Sequence, residues 1–194
     1  MLKNGLKSAL AALALLFVVS GQAKAETYVM DTGGSHAFIQ FKIKHLGYSW
    51  LLGRFNTFAG TFEVDEKNPA GGKVEVTIET KSVDTNHAKR DKHLRSADFF
   101  EVDKYPQATF VSTGVKVTGE GKAQVMGNLT LKGVTKPVTL DVTHIGAGKD
   151  PWGGFRRGFE ATTQIALADY GINFNLGPAS KNVEIYISIE GKKQ

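Results

Sequence analysis

The chain has 194 residues, of which 41% are hydrophobic and 22% charged, with a formal net charge of +5 and no cysteine. This length fits one domain with a substantial core. The lack of cysteine excludes a disulfide framework, thiol catalysis and a lipid anchored on an N-terminal cysteine.

The first 25 residues have the pattern of a secretory signal peptide. Lys3 and Lys7 precede the apolar run ALAALALLFVV, and Ala23-Lys24-Ala25 has the small-x-small form of a cleavage site. A membrane anchor is disfavoured because the run is shorter than the roughly 20 residues that span a bilayer. We predict a cleaved signal over residues 1–25 and a mature single domain over residues 26–194, located in the periplasm, with no integral membrane segment after cleavage.

Removal of this signal leaves 21 basic and 19 acidic residues, so the positive charge belongs largely to the signal. No stripe of lysine and arginine interleaved with stacking aromatics is present in the sequence. Nucleic acid is therefore not expected as a partner.

Alternation of apolar and polar residues with period two recurs along the mature chain and predicts about eight half-buried antiparallel strands. The runs begin and end at Ala37 and Ile43, Phe58 and Val64, Val74 and Ile78, Phe110 and Ser112, Val125 and Leu131, Val138 and Val142, Phe159 and Leu167, and Val183 and Ile189. Turn signals lie between them, and Lys132-Gly133 predicts a hairpin. An all-β sandwich or barrel follows.

Two stretches interrupt this pattern. The segment HLGYSWLLG (45–53) is apolar without alternation. The segment TNHAKRDKHLRSADFF (85–100) is rich in ionisable residues, and we predict a short helical segment over residues 86–98 with Asn86 or Asp84 near its N-cap. With few apolar residues, this helix is expected to lie across an opening as a lid, or against the barrel surface as a strut.

The ionisable residues do not form a recognisable catalytic or metal motif. The five histidines lack the His-x-His or His-x-x-x-His spacing of a chelating pair, so no metal or other cofactor is predicted. No Gly-x-Ser-x-Gly or Ser-x-x-Lys motif is present. His87 and Asp91 could form an acid–base pair, but an ordinary surface ion pair between Asp91 and Arg95 is the simpler interpretation. No catalytic residue is assigned.

An eight-stranded barrel either fills its interior with side chains or holds one small ligand. Small residues such as Ala37, Gly60, Gly127 and Ala161 would leave room along the axis, although composition does not choose between the two. A membrane-embedded barrel is disfavoured because the tryptophans and tyrosines do not form girdles at strand ends.

Six ordered stretches resemble the YceI-like family of bacterial periplasmic proteins: HAFIQFKIKHLGYSWLLGRF, SVDTNHAKRDKHLRSADFF, KYPQATFVST, LTLKGVTKPVTL, DPWGGFRRGFEA and DYGINFNLGPASKNVEI. The resemblance implies a lipocalin-like, elongated eight-stranded antiparallel β-barrel that binds a polyisoprenoid or quinone-like lipid in its pore. It also implies a link to stress conditions in some members, and it transfers no catalytic residues.

From strand parity we predict that the pore is lined by Ile39, Phe41, Ile43, Val76, Ile78, Phe110, Leu129, Phe159 and Ile165. Cationic donors for a polar or pyrophosphate head group are predicted at Arg90, His93 and Arg95. Two alternatives remain: an enzyme with His/Asp chemistry at the barrel mouth, and a stress-related surface-interaction protein with a filled core. A homodimer is left open.

Overall fold

The computed structural model describes residues 25–34 and 36–194. The predicted signal segment lies outside these residues, apart from Ala25. Within these residues the chain forms eleven strands: β1 Glu26–Met30, β2 Ala37–His45, β3 Ser49–Phe55, β4 Phe58–Val64, β5 Lys73–Glu79, β6 Val83–Asp84, β7 Gln107–Gly119, β8 Lys122–Leu131, β9 Val134–Lys149, β10 Phe155–Ala166 and β11 Asn182–Lys193. The α-helix α1 spans Ala88–Leu94, and single 3₁₀ turns span Pro69–Gly71, Thr80–Ser82, Leu167–Tyr170 and Pro178–Ser180.

The strands form a closed antiparallel barrel. Neighbours follow the order β1-β4-β5-β7-β8-β9-β10-β11, and β1 pairs back with β11 to close the ring of eight. β1 and β2 pair with successive parts of β11, so they are two halves of one bent strand. β3 and β4 pair with β2 and β1 in the same way. The predicted eight-stranded lipocalin-like barrel is confirmed.

Each alternating run of the sequence lies within a strand, namely β2, β4, β5 and β7 to β11, except that Leu167 at the end of one run begins a 3₁₀ turn after β10. The predicted hairpin at Lys132-Gly133 joins β8 to β9, and both turn residues have positive φ, 49° and 73°. This conformation matches the twist of the flanking strands in a two-residue hairpin. Glycine tolerates it without a Cβ clash.

The interpretation of residues 45–53 as a break in the β pattern is wrong. Residues Ser49 to Gly53 lie in β3, which pairs with β2 through a turn at residues 46–48. Alternation is hidden there because the outward side chains, Trp50 and Leu52, are as apolar as the inward Leu51 and Phe55.

Helix α1 is shorter than predicted and is capped by a different residue. His87 is the N-cap, and its Nδ1 accepts a hydrogen bond from the Arg90 N–H at 3.2 Å. Asn86 has a left-handed backbone with φ 59°, whereas an N-cap residue adopts extended geometry. Asp84 instead accepts the Asn86 N–H at 2.8 Å in a local turn. The sequence did not show this because asparagine and aspartate are preferred N-cap residues and histidine is not among them.

Candidate functional site: an apolar cavity inside the barrel

The interior of the barrel contains a cavity of about 610 Å³ with a predominantly apolar wall. Eight of the nine predicted pore residues line it: Ile39, Phe41, Ile43, Val76, Ile78, Phe110, Leu129 and Ile165. They come from five different strands, and within each strand they share the inward parity, because successive side chains alternate between the two faces of a strand. The alternative of a filled core is therefore wrong for this structure.

Phe159 is the exception among the predicted pore residues. Its ring is not part of the cavity wall but contacts Phe62 edge-on at 5.5 Å and lies 5.2 Å from His144. Phe62 in turn stacks on Tyr28 at 5.0 Å, with the two planes 8° apart. These side chains belong to the barrel end opposite the β2–β3 turn, and we call Tyr28, Phe62 and Phe159 the aromatic floor. Parity placed Phe159 on the inward face correctly but says nothing of depth along the axis.

The small residues expected to leave room along the axis are largely covered by neighbouring side chains. A Cβ at Gly127 would lie 2.3 Å from the Phe110 ring, and one at Gly60 would lie 2.9 Å from the Met30 sulfur. Ala161 packs in a cluster with Phe110, Val125 and Leu140. Glycine thus admits a large side chain from the next strand, and the open volume lies nearer the other end of the barrel.

The mouth of the cavity lies at the end that carries the β2–β3 turn, α1 and residues 172–177. Three rings form a cluster beside it: His93 is edge-on to both Phe99 and Phe174 at 5.0 Å, and Phe99 lies 5.3 Å from Phe174. Leu94 of α1 also lines the cavity. Aromatic packing of His93 therefore holds the helix beside the opening.

The ionisable residues along the described cavity wall are Lys44, His45, Arg90 and His93, and none of them is a carboxylate. His45 was missed by the sequence prediction, although it continues the inward parity of Ile43. This composition gives the mouth a cationic or neutral character, which favours an anionic or polar head group over a cation.

Arg90 is held in place by a buried polar cluster. Its Nε donates to Thr85 Oγ1 at 2.7 Å, and its Nη2 donates to the Thr85 carbonyl at 2.6 Å. The buried Asp91 accepts the Thr85 N–H at 2.9 Å and also accepts from the Thr85 hydroxyl. Two guanidinium nitrogens of Arg90 therefore bind Thr85, and these hydrogen bonds orient the Arg90 side chain at the mouth.

Arg95, the third predicted head-group residue, is not part of the cavity wall. Its Nη1 donates to the carbonyls of Lys81 and Val83, each at 3.2 Å. These carbonyls belong to the bend between β5 and β6, so Arg95 ties the end of α1 to the barrel. The expected surface pair between Asp91 and Arg95 is consequently not formed.

The His/Asp pair that the structure forms at the mouth is also different from the one considered from the sequence. His87 caps α1 and Asp91 binds Thr85, so these two do not pair. His93 Nε2 instead lies 2.8 Å from Asp98 Oδ2. This contact fixes the ring of His93 next to Phe99 and Phe174.

Among the described residues, Asp31, His36 and Glu190 are the one group of metal-ligating side chains whose ligand atoms lie within 4.8 Å of one another. Arg156 Nη1 already donates to Asp31 at 2.7 Å and also pairs with Glu190, and Lys192 Nζ lies 3.0 Å from Asp31. The hydrogen bond from Arg156 holds the pKa of Asp31 well below its usual range. These neighbours supply the positive charge that a metal ion would bring, so the group forms an ion-pair network.

Within the described residues, none of the helices has the length and apolar character needed to cross a bilayer.

The sequence profile of the YceI-like domain matches residues 28–191. A UPF0312 protein of Pseudomonas aeruginosa (strain LESB58) is 60% identical over 191 residues, covering 97% of this chain and all of that protein.

Solved structures share the fold. The YCEI protein of Campylobacter jejuni superposes with a TM-score of 0.70 at 30% identity, over 79% of this chain and 91% of that one. A polyisoprenoid binding domain from Saccharophagus degradans, implicated in plant cell wall breakdown, superposes with a TM-score of 0.63 at 20% identity, over 86% and 98% of the two chains. The second likeness concerns the barrel fold alone.

Proposed function

This chain belongs to the YceI-like domain family, and we propose that it is a periplasmic protein that holds a long apolar lipid, of the polyisoprenoid or quinone class, inside its barrel. The observation that carries the proposal is the cavity of about 610 Å³, whose described wall is predominantly apolar and includes Arg90 and His93 but no carboxylate. Pockets of a few hundred cubic ångströms with few polar groups are typical of small-molecule sites.

The size of the cavity supports a chain of about 20 carbons. If each methylene-sized group takes roughly 30 Å³, the volume share of a water molecule, 610 Å³ holds about 20 such groups. Burying 20 carbons at about 0.8 kcal/mol each gives on the order of 16 kcal/mol before ordering costs are subtracted. A prenyl chain of four isoprene units therefore has enough binding energy without any covalent step.

The head group of the lipid is proposed to lie at the mouth beside Arg90 and His93. Arg90 is oriented by Thr85 and carries a permanent charge, and His93 is oriented by Asp98. A pyrophosphate or a quinone oxygen would accept hydrogen bonds from such donors.

Periplasmic location is proposed from residues 1–25, whose pattern is that of a secretory signal. Cleavage after Ala25 would give a mature protein that begins at Glu26. Intact mass and N-terminal sequencing of the exported protein measure this directly, and a membrane-bound product that retains residues 1–25 would contradict the proposed location.

A binding role accounts for the mouth better than an enzyme does. The pair of His93 and Asp98 is the feature that favours catalysis, but the Ser180 hydroxyl on the cavity wall already donates to the Lys44 carbonyl. A bound lipid should therefore be recovered chemically unchanged after prolonged incubation. Turnover that disappears in a His93→Gln variant would support the enzyme instead.

The proposal is tested by native mass spectrometry of the protein purified from its own periplasm, followed by reconstitution with prenyl ligands. Ile78→Trp places an indole in the cavity and should reduce ligand uptake at least tenfold, with a modest loss of stability because open volume receives the extra atoms. Thr77→Trp, on the outward face of the same strand, is the matched control and should bind normally. Normal ligand uptake by a folded Ile78→Trp variant would contradict the proposed site.

A further inference from the structure

The β2–β3 hairpin exposes a group of apolar side chains directly at the cavity mouth. Leu46, Tyr48, Trp50 and Leu52 are 58%, 89%, 46% and 67% exposed. An antiparallel strand with one buried face normally carries polar residues on the other. We call these four side chains the hairpin patch. Its apolar character cannot come from packing of the barrel, because the patch contributes nothing to the interior except at the Leu46 rim.

The turn of this hairpin has a backbone conformation that its sequence does not favour. The Tyr48 N–H donates to the His45 carbonyl at 3.0 Å, and the two residues between them, Leu46 and Gly47, have φ of 53° and 85°. Left-handed geometry is unfavourable for a residue such as leucine, and asparagine or glycine would be more stable there. A strained, exposed leucine at the entrance to a cavity therefore indicates a role outside folding.

The hairpin also stands apart from the rest of the sheet. On its second edge β3 pairs with β6 only at Arg54 and Phe55. Residues 49–53 have no strand partner on that edge among the described residues. The patch is consequently presented at one end of the molecule, where the tip of the hairpin, beyond the pairing of Lys42 with Glu184 of β11, is a two-stranded ribbon that can meet a flat surface.

Two lysines flank the aromatic part of the patch. Lys42 and Lys44 lie opposite Leu52 and Trp50 in the register, and their Nζ atoms lie 4.5 Å and 5.5 Å from the Trp50 ring centroid. Lys42 pairs with Glu184 at 2.9 Å, whereas Lys44 has no ion-pair partner in residues 25–34 and 36–194. Tryptophan beside lysine is typical of membrane interfaces, where the indole enters the head-group layer and the ammonium reaches lipid phosphates.

The patch is continuous with the interior of the barrel. Leu46 and the exposed Phe174 belong both to the outer surface and to the cavity wall. An apolar chain that leaves the cavity through water would expose each of its methylenes at a free-energy cost. A surface that carries the same apolar character from the cavity to the outside avoids this exposure if it rests on a lipid bilayer.

We propose that the hairpin patch, with Lys42 and Lys44, docks the protein on a bilayer that contains anionic lipids, with the cavity mouth facing the membrane. The role of docking in lipid exchange depends on the proposed lipid-binding function, whereas docking itself does not. Each lysine near an anionic surface contributes electrostatic attraction, and insertion of Leu46, Tyr48, Trp50 and Leu52 contributes the apolar part of the binding free energy.

Vesicle binding of delipidated protein tests the proposal. Native protein should co-sediment with phosphatidylcholine–phosphatidylglycerol vesicles and bind pure phosphatidylcholine vesicles at least fivefold more weakly. A Tyr48→Ser, Trp50→Ser, Leu52→Ser variant should lose at least tenfold in vesicle affinity while its uptake of a water-dispersed prenol changes less than twofold. The matched control, Val117→Ser with Ile145→Ser, removes exposed apolar side chains away from the mouth and should bind vesicles like the native protein.

Fluorescence gives a second reading that does not depend on the serine variants. The chain has two tryptophans, so Trp152→Phe leaves Trp50 as the sole reporter. Its emission should shift to shorter wavelength on addition of anionic vesicles, and added salt should reverse part of the shift. Lys42→Gln with Lys44→Gln should abolish the preference for anionic vesicles.

The outcomes separate docking from lipid binding. Equal vesicle affinity of the native and triple-serine proteins would overturn the docking proposal, as would an unchanged Trp50 spectrum. Dimerisation of native protein that vanishes in the triple-serine variant, without vesicle binding, would also overturn it and assign the patch to a second copy of the chain. Vesicle binding by a protein that takes up no prenol would leave docking intact and reject the proposed function.

Discussion

The depth of the cavity predicts how affinity depends on the length of a prenyl ligand. Each isoprene unit adds five carbons, which contribute about 4 kcal/mol on burial before ordering costs. The cavity volume of about 610 Å³ is used up after about four units, at roughly 30 Å³ per carbon. We therefore expect affinity to rise about tenfold or more per unit up to 20 carbons, and less than threefold per unit beyond that length.

We expect the aromatic floor, which lies beyond the cavity wall, to set this limit, so opening the floor should extend the chain length that the cavity accepts. Phe159→Ala removes the ring that contacts Phe62 and should extend the rising part of the series by about one isoprene unit. The variant should lose about 3 kcal/mol of stability, as is usual for loss of a packed phenylalanine, and remain folded. Phe38→Ala, which removes an exposed phenylalanine from the outward face of β2, is the control and should leave the length dependence unchanged.

The assay is competition of a fluorescent prenyl probe by alcohols of 10 to 40 carbons, with thermal denaturation of each variant in parallel. An affinity that climbs with the same slope from 20 to 40 carbons would refute the closed floor. A Phe159→Ala series identical to the native one would show that the aromatic floor does not limit the chain.

Further predictions concern charge and pH. Arg90→Gln should weaken the binding of a pyrophosphorylated prenyl chain about tenfold, and that of a neutral prenol less than twofold, as measured by calorimetry. Arg95→Gln should lower Tm without any difference between the two ligands. Equal losses of affinity for both ligands in the Arg90→Gln variant would remove Arg90 from the head-group site. The hydrogen bond from Arg156 lowers the pKa of Asp31, so the stabilisation it gives is present above about pH 4 and is lost as the pH falls below that value. Asp31→Asn should lower the free energy of unfolding by about 2 kcal/mol at pH 7. It should also reduce the dependence of that free energy on pH below about 4, measured by urea unfolding. An unchanged pH dependence in this range would contradict the pairing of Asp31 with Arg156. Burial raises the pKa of Tyr170 to about 12, so stability should fall as the pH rises from about 10 to 12, where the unfolded phenol ionises first. Tyr170→Phe should remove that fall in unfolding measured at high pH, and a persistent fall of the same size would assign it to other groups.

Strand parity was sufficient to place eight of the nine predicted pore residues on the cavity wall. A side chain such as Ile78 or Leu129 faces inward because its neighbours in sequence face outward, and this relation is visible without a structure. Depth is not visible in the same way. Phe159 and Ile165 share one face of β10, yet the first lies at the floor and the second on the cavity wall. Their positions follow from pairing with β9 and β11, which a single strand does not encode.

The polar residues of the 85–100 segment were harder to assign because their partners are backbone groups. Arg95 resembles a head-group donor in the sequence, but carbonyls at the bend of Lys81 and Val83 accept its hydrogen bonds. Arg90 is oriented by Thr85, whose hydroxyl and carbonyl both accept from it. The bend between β5 and β6 determines which arginine reaches the mouth, because its carbonyls bind Arg95. Local sequence patterns do not specify where this bend occurs.

The missed strand β3 and the proposed docking surface have the same physical origin. Alternation identifies a strand only when its outward face is polar, and in β3 both faces are apolar because Trp50 and Leu52 are exposed while Leu51 and Phe55 line the cavity. A barrel that only had to fold would gain nothing from these outward side chains, and an exposed edge with apolar residues carries a risk of aggregation. The presence of Trp50 and Leu52 on the outward face, beside the strained Leu46, is explained if the hairpin spends part of its time against a surface that is itself apolar. The sequence pattern thus failed at β3 for the same reason that we propose bilayer contact there: its outward side chains are apolar, and a bilayer would bury them.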